Sequence, residues 1–403
     1  MSQVVQLANP PRSLVILLAT AVGVIAANLY YAQPLVAMIS RELLLSSGAA
    51  GLVVTLTQVG YGLGVLLVVP LGDIVENRRL VLTMIGLTII GLLGLIFSTA
   101  LLPYFAAAFA TGLGASAVQI IVPYSAHLVP EEKRGQMVGS LMSGLMLGIM
   151  LSRPTAGLLT DLFSWHAVFV ASAIMMTILG FVLFRLLPPR QPVNQNILYR
   201  KLLISMIQLF LTTPVLRRKA FYQACVFSAF CLFWTACPLF LAGPDFQFTQ
   251  TQIAVFALVG VAGAVSAPFA GRAADKGYGQ LATTLALISC SISFLISHFF
   301  SPGSIISIIA LVVSAILLDA GVSANLVLGQ RAIFALDASK RSRLNALYIA
   351  TIFIGGATGS ALGAWAFSHG GWSLTAWWGF SLPLIALLYF LTEFSKNFKS
   401  EVK

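Results

Sequence analysis

LLLSSGAAGLVVTLTQVGYGLGVLLVVPLGDIVENRR (43–79) decides the fold. From Leu43 to Gly72 the chain carries no Asp, Glu, Lys or Arg, and then Asp73, Glu76, Arg78 and Arg79 follow in quick succession. A helix needs about 20 apolar residues to cross a bilayer's hydrocarbon core, so this stretch reads as one membrane span ending in a charged loop. Working outward, residues 13–40, 162–184, 220–244 and 246–271 are uncharged runs of the same kind, one span each. Residues 80–130 and 344–392 hold two spans each, broken at Leu102-Pro103 and at Ser368-His369-Gly370-Gly371. Residues 277–330 hold another pair, broken at Ser301-Pro302-Gly303 and carrying one acid, Asp319, while 135–160 form one span with one base, Arg153. The expected architecture is an all-α membrane protein of twelve helices, numbered 1 to 12 in chain order.

Composition agrees. Asp, Glu, Lys and Arg are 9% of the 403 residues, against about a quarter in soluble domains. A chain this apolar has no water-facing surface to spare, and a soluble fold is excluded. Four Cys and four His include no C-x-x-C pair and no close His pair, so disulfide frameworks, structural zinc and haem attachment are poor readings and no metal or cofactor is expected. Arg12 before the first apolar run is compatible with a signal peptide, but the run exceeds an h-region and eleven more follow; it is kept as helix 1.

Of the 23 Lys and Arg residues, all but Arg41 and Arg153 fall on one side of this twelve-span arrangement. The positive-inside rule therefore puts both termini in the cytoplasm, and a bacterial inner membrane is the expected location. The bases are shared among short loops rather than gathered into a patch, which excludes nucleic acid as the partner of the +11 net charge. Single cysteines at Gln195 and Ser400 in a Cys-free background are expected to be shielded from an impermeant thiol reagent in intact cells, and one at Ser301 to react. Labelling at Ser400 without lysis would overturn the twelve-span count.

Residues 188–218 are the only long hydrophilic connection, opening on Pro188-Pro189-Arg190-Gln191-Pro192 and continuing as ILYRKLLISMIQLFL (197–211). Ile197, Leu198, Leu202, Met206 and Phe210 recur at helical spacing opposite Arg200, Lys201 and Gln208, so the segment reads as a linker with an interfacial helix. It separates a first half, 1–187, from a second, 219–403, and the halves echo each other: Asp73 answers Asp275 and Trp165 answers Trp372. Two six-helix units in the same orientation are the parallel repeat in which a central site alternates between membrane faces.

The motifs carry a resemblance over essentially the whole length. VPLGDIVENRR (69–79) keeps Asp73, Arg78 and Arg79, and GRAADK keeps Gly271, Asp275 and Lys276, of a loop motif of the major facilitator superfamily, which the chain resembles. NLYYAQP (28–34), LSRPTAG (151–157), LDAGVSANLVLGQR (318–331) and SRLNALY with GGATGSALGAWA (342–366) look like a bacterial branch of predicted efflux permeases similar to drug/proton antiporters. The resemblance implies a secondary transporter in which helices 1, 4, 7 and 10 line the cavity. Ala108, Thr111 and Arg153 stand where the antiporter motifs have Arg, Gln and Gly. Asp73, Arg78, Arg79, Asp275 and Lys276 are the gating candidates: an acid at a helix end with bases one turn on can pair in one conformer and release in the other. Plain topological anchoring by Arg78 and Arg79 is the other reading.

Depth singles out Asp319 and Arg153, because a charge near the bilayer centre costs roughly 2.5–3.5 kcal/mol. Asp319 is either a structural ion-pair member or a protonatable coupling carboxylate, with Ser323 and Gln330 continuing its helical face. Arg153 is either the binder of an anionic substrate group or a snorkelling base paired with Asp161. Asn28, Tyr30, Tyr31 and Gln33 in helix 1, Gln58 and Tyr61 in helix 2, Gln119 and Tyr124 in helix 4, and Tyr222, Gln223 and Trp234 in helix 7 suggest a polar and aromatic pocket. Singly, each also fits an interhelical hydrogen bond or an interface aromatic. GLGASA (112–117) fits G-x-G-x-x-G but lies in an apolar helix with no strand before it, so it is not a nucleotide site. Gly355, Gly359 and Gly363 read as close helix packing, and Cys225, Cys231 and Cys237 as small apolar residues.

The expected function is proton-coupled movement of a small organic solute by a monomer whose partners are the solute, protons and the lipid bilayer, with efflux favoured over uptake by the resemblance alone. A membrane enzyme would need a catalytic constellation that the deep polar residues do not offer, and a transporter-like sensor or scaffold would be expected to add a soluble domain.

Overall fold

In a computed structural model, residues 11–190, 198–261, 265–300, 302–337 and 340–401 are described, and among them there is no strand. Gln195 and Ser301 lie outside the described residues, as does Ile197. Every span of the charge-gap reading is present. Helices 3, 5 and 6 run over Asn77–Phe97, Glu131–Leu162 and Trp165–Leu186. Helix 7 runs over Pro214–Leu241, helix 9 over Gly279–His298 and helix 10 over Ile305–Phe334. Helices 11 and 12 occupy Arg341–Glu401, divided where Gly370 and Gly371 leave helical geometry. Gly371 sits at φ +59° and ψ −152°, a conformation open to residues without a Cβ.

Four spans are not the continuous helices that charge gaps suggest. Helix 1 runs over Arg12–Ala27, loosens into turns, and resumes as Val36–Glu42. The amide of Asn28 turns back onto the Val24 and Ile25 carbonyls, at 3.0 and 3.2 Å, competing with the backbone ladder, and Pro34 removes an N–H. Helix 2 is regular over Leu52–Leu63 and changes pitch through Gly64–Val68 and Val69–Asp73, around Pro70. Helix 4 divides into Leu101–Ala115 and Val118–His127. Helix 8 runs over Gln250–Ala257, tightens over Leu258–Gly260, and is described again over Ser266–Asp275. Helix 7 also begins earlier than its charge gap, because Pro214 suits a first helical turn and brings Arg217, Arg218 and Lys219 onto the helix.

Lipid as solvent explains which residues face outward. Ile90, Ile174, Phe181, Ile306 and Leu388 are each more than half exposed, while small and polar residues line the contacts between helices. Gly355, Gly359 and Gly363 of helix 11 lie against the backbone of helix 7 at Ala224, Ser228 and Leu232. In the first half, Gly148 of helix 5 does the same against Gly23 of helix 1.

The halves meet on two seams. On the face away from the basic loops, Asp161 at the end of helix 5 accepts from the Thr251 N–H at the start of helix 8, at 2.6 Å. Gly157 packs there against Ala254. On the second seam, Thr55 Oγ1 of helix 2 donates to the Ala357 carbonyl of helix 11 at 3.3 Å, and Gly51 lies over the Ser360 carbonyl. Nearer the basic face, the Tyr61 and Phe353 rings are 4.2 Å apart. Gln119 there joins Tyr61 Oη (3.0 Å) to Asn345 Nδ2 (3.2 Å). Among the described residues the second piece of helix 8 packs mainly on helices 9 and 10.

The linker is fastened to both halves. Tyr124 Oη donates to the Pro188 carbonyl at 2.6 Å, and Arg190 Nη1 to Asn77 Oδ1 at 2.8 Å. The linker's helix runs over Tyr199–Thr212, with Leu202 and Met206 buried and Leu198, Ile207 and Leu211 exposed. Tyr199 Oη bonds the Leu67 carbonyl of helix 2, and Arg343 of helix 11 donates to Ser205.

Candidate substrate and proton site

The broken stretches of helices 1 and 8 flank one spot between the halves, and the two deep charges meet there. Arg153 is 4% exposed and Asp319 is 6% exposed. Arg153 comes from helix 5 in the first half. Its Nε donates to Gln33 Oε1 at 3.0 Å, and its guanidinium lies 4.3 Å from the Trp234 ring centroid, 5.2 Å from Phe230 and 5.5 Å from Tyr30. Cation–π contact of this kind compensates part of the lost hydration. Asp319 comes from helix 10 in the second half, and its Oδ1 accepts from Trp234 Nε1 at 3.0 Å.

The two charges share a partner, Trp234, and converge on Gly260 without closing into an ion pair. A Cβ at Gly260 would run into Asp319 Oδ2 and stand 3.3 Å from Trp234 and 3.6 Å from Arg153 Nη1. Any side chain there would have to displace the Asp319 carboxylate. Arg153 therefore neither snorkels outward nor pairs with Asp161, whose carboxylate is taken up at helix 8. Arg153 Nη2 and Gln33 Nε2 are buried with no hydrogen-bond partner among the described residues, and so is Gln58 Oε1.

The other candidates fall into different places. Gln58 Nε2 donates to Cys231 Sγ at 3.3 Å, across the halves, so Cys231 is a polar partner as well as a small residue. Tyr31 is buried beside the break in helix 1. Asn28 is committed to the helix 1 backbone and accepts from Ser172 of helix 6 at 2.6 Å, an interhelical tie within the first half. Gln119 sits in the polar bridge to Asn345 toward the basic face, apart from Arg153. Ser323 lies one turn from Asp319 and is half-buried. Gln223 accepts from Asn325 at 2.7 Å and donates to the Val322 carbonyl at 3.2 Å.

The gating candidates do not form one symmetric device. Asp275 pairs with Arg331 at the end of helix 10, in its own half. Asp73 is within electrostatic reach of Arg343 of the other half and Arg190 of the linker. Arg78 turns to the Phe184 carbonyl and ring of helix 6, Arg79 to Glu76 at 3.3 Å, and Lys276 ends helix 8. Phe230 and Gly260 were not among the sequence candidates. A phenylalanine in a lipid-soluble helix and a glycine in GVAG carry no signal of their own.

The chain is 37% identical over 385 residues to the "Uncharacterized transporter YgaY" of Escherichia coli O157:H7, covering 96% of each protein. Its sequence matches the family described as Major Facilitator Superfamily over residues 18–313 and 220–402. The chain belongs to that superfamily. This superfamily member is also 31% identical to the "Probable transporter SCO4007" of Streptomyces coelicolor, over 88% of this chain and 82% of that one. The fold is that of the solved nucleoside transporter NupG, with a TM-score of 0.73 at 13% identity over 94% of this chain and 99% of that one. The protein is a multi-pass membrane transporter, and the superfamily assignment gives the two halves and the site between them their context.

Proposed function

We propose that this superfamily member is a proton-coupled secondary transporter of the bacterial inner membrane, with both termini cytoplasmic. It moves a small organic solute by rocking its halves about the Arg153–Asp319 site, and export is the direction the sequence resemblance favours. The observation that carries this is the convergence of one buried charge from each half on Gly260. Rocking changes the spacing of such a pair, so solute and proton occupancy can be linked to the conformer. In this reading Asp319 takes a proton from water at one face and returns it at the other. Arg153, Gln33, Tyr31, Gln58, Trp234 and Ser323 contact solute. Asn28 and Gln119 enter as the helix ties that shape the cavity walls. The protein works as a monomer, and transport involves no catalytic residue, metal or cofactor.

The test is transport into proteoliposomes under an imposed pH gradient with a mixture of metabolites. Accumulation that follows the gradient, and reverses with it, supports the reading and reports the direction. Solute movement indifferent to pH would remove the proton from the mechanism.

The gate has its own expected outcome. Asp73→Asn with Asp275→Asn should raise labelling of a thiol near Gln330 from the basic face, each exposed contact contributing about 1 kcal/mol or less. Asp73 should carry most of the change, since its neighbour Arg343 belongs to the other half. Unchanged labelling would leave both acids as anchors.

A further inference from the structure

Arg153 Nη2 and Gln33 Nε2, on side chains joined through Arg153 Nε and Gln33 Oε1, are buried and without hydrogen-bond partners among the described residues. Both are obligate donors. Arginine has no acceptor, and Gln33 has committed its oxygen to Arg153 Nε, which leaves the NH2 of the amide facing the site. A buried donor stays uncompensated until something accepts from it. Gln58 Oε1 of helix 2 is an unpartnered acceptor among the described residues, but to the two orphan donors an ammonium group brings only more donors, whereas a carboxylate brings two acceptor oxygens matched to a guanidinium edge. The guanidinium already lies over the Tyr30, Phe230 and Trp234 rings, so the unpartnered Nη2 is what remains for a ligand. Around it the nearest walls are those ring surfaces, which suit a flat apolar body.

Charge then decides what travels with such a ligand. Arg153 and Asp319 are the formal charges at the site. The other titratable groups in electrostatic reach are Tyr30 on helix 1, Cys231 on helix 7 and Cys290 on helix 9, uncharged while they keep their protons. An anion seated on Arg153 takes the countercharge from Asp319. Two anions would then share one cation in a lipid-bounded site, unless the carboxylate gains a proton.

We infer that the site takes a monocarboxylate with a flat apolar body, and takes it together with one proton on Asp319, so that solute and proton cross in the same direction. This rests on the reading of Arg153 and Asp319 as the transport site. Export then means loss of the acid with its proton from a cell that accumulates it, rather than exchange for a proton. The balance is simple: one proton leaves water for the Asp319 carboxylate as one carboxylate ligand binds, and both return to water at the other face.

Benzoate, benzamide and benzylamine, three flat bodies with an anionic, a neutral and a cationic group, test this on the full-length protein by calorimetry in buffers of different ionisation enthalpy. Benzoate should bind at least about tenfold more tightly than either isostere and take up close to one proton per molecule bound at pH 7. Asp319→Asn should bind benzoate without taking up a proton. Gln33→Leu, which leaves both charges in place, should weaken benzoate more than benzamide, since a hydrogen bond to a charged acceptor is the stronger one, and it serves where Arg153→Gln fails to fold. Benzylamine binding as tightly as benzoate, or no benzoate binding, overturns the solute class, and benzoate binding without proton uptake overturns the shared direction. None of these results touches the proton-coupled reading, which fails separately if pH gradients drive no solute in proteoliposomes.

Discussion

Proteoliposomes carrying Asp319→Asn will not concentrate solute in a pH gradient, yet will still bind it and exchange it across the membrane. Asparagine keeps the shape of the side chain, and its oxygen can still accept from Trp234 Nε1, as Oδ1 does at 3.0 Å. What disappears is the exchangeable proton. No other acid can take over from a comparable depth. Asp73 and Asp275 sit at helix ends in the basic face, Asp161 caps helix 8 on the opposite face, and Glu76 caps helix 3 beside Arg78. Loss of driven accumulation with retained exchange is the signature of a missing coupling group rather than a damaged cavity. A mutant that still concentrates solute would send the search to Asp161 or His127.

Arg153→Lys should fail nearly as badly as Arg153→Gln, which would be surprising if charge alone mattered. Lysine keeps the positive charge but has one compact ammonium. It cannot bond Gln33 through Nε, present a second edge to a ligand, and stack flat on Trp234 at once. Hydrogen bonds to charged groups contribute about 1.5–3 kcal/mol each, so losing the fork should weaken solute binding roughly 10- to 100-fold. Binding measured alongside thermal stability separates the outcomes. A fully active lysine variant, with glutamine merely unstable, would make Arg153 a structural charge.

The sequence made the spans legible because a charge inside lipid is costly, so the gaps between charges mark the helices. For the same reason Asp319 and Arg153 were visible one at a time. That they face each other was not legible, since it depends on how the helices are rotated and on the break at Asn28–Leu35 that carries Gln33 to Arg153. Charge gaps measure length and are blind to interruptions: the runs 13–40 and 246–271 gave no sign of the turns inside them. Composition likewise could not say which polar residues were already engaged. Asn28 and Gln33 stand five positions apart in one motif, yet Asn28 spends its amide on Ser172 and its own backbone while Gln33 keeps a free donor. The echo between Asp73 and Asp275 was readable, and the difference in their neighbours, Arg343 and Arg331, was not.

The seam between helices 2 and 11 is built from Gly51, Thr55, Ala357, Ser360 and Ala364, backbone against backbone. Such a joint contains no charge for salt to screen and no group for protons to loosen. Ionic strength and acidity can act on the basic face and at the Asp161 contact of the other seam, but among these five residues the adjustable quantity is side-chain size. Enlarging Gly51 should prop this face ajar without altering affinity at the centre, and solute loaded into proteoliposomes should then leak. Rate of release, in this architecture, is a matter of steric volume that can evolve independently of what the site recognises.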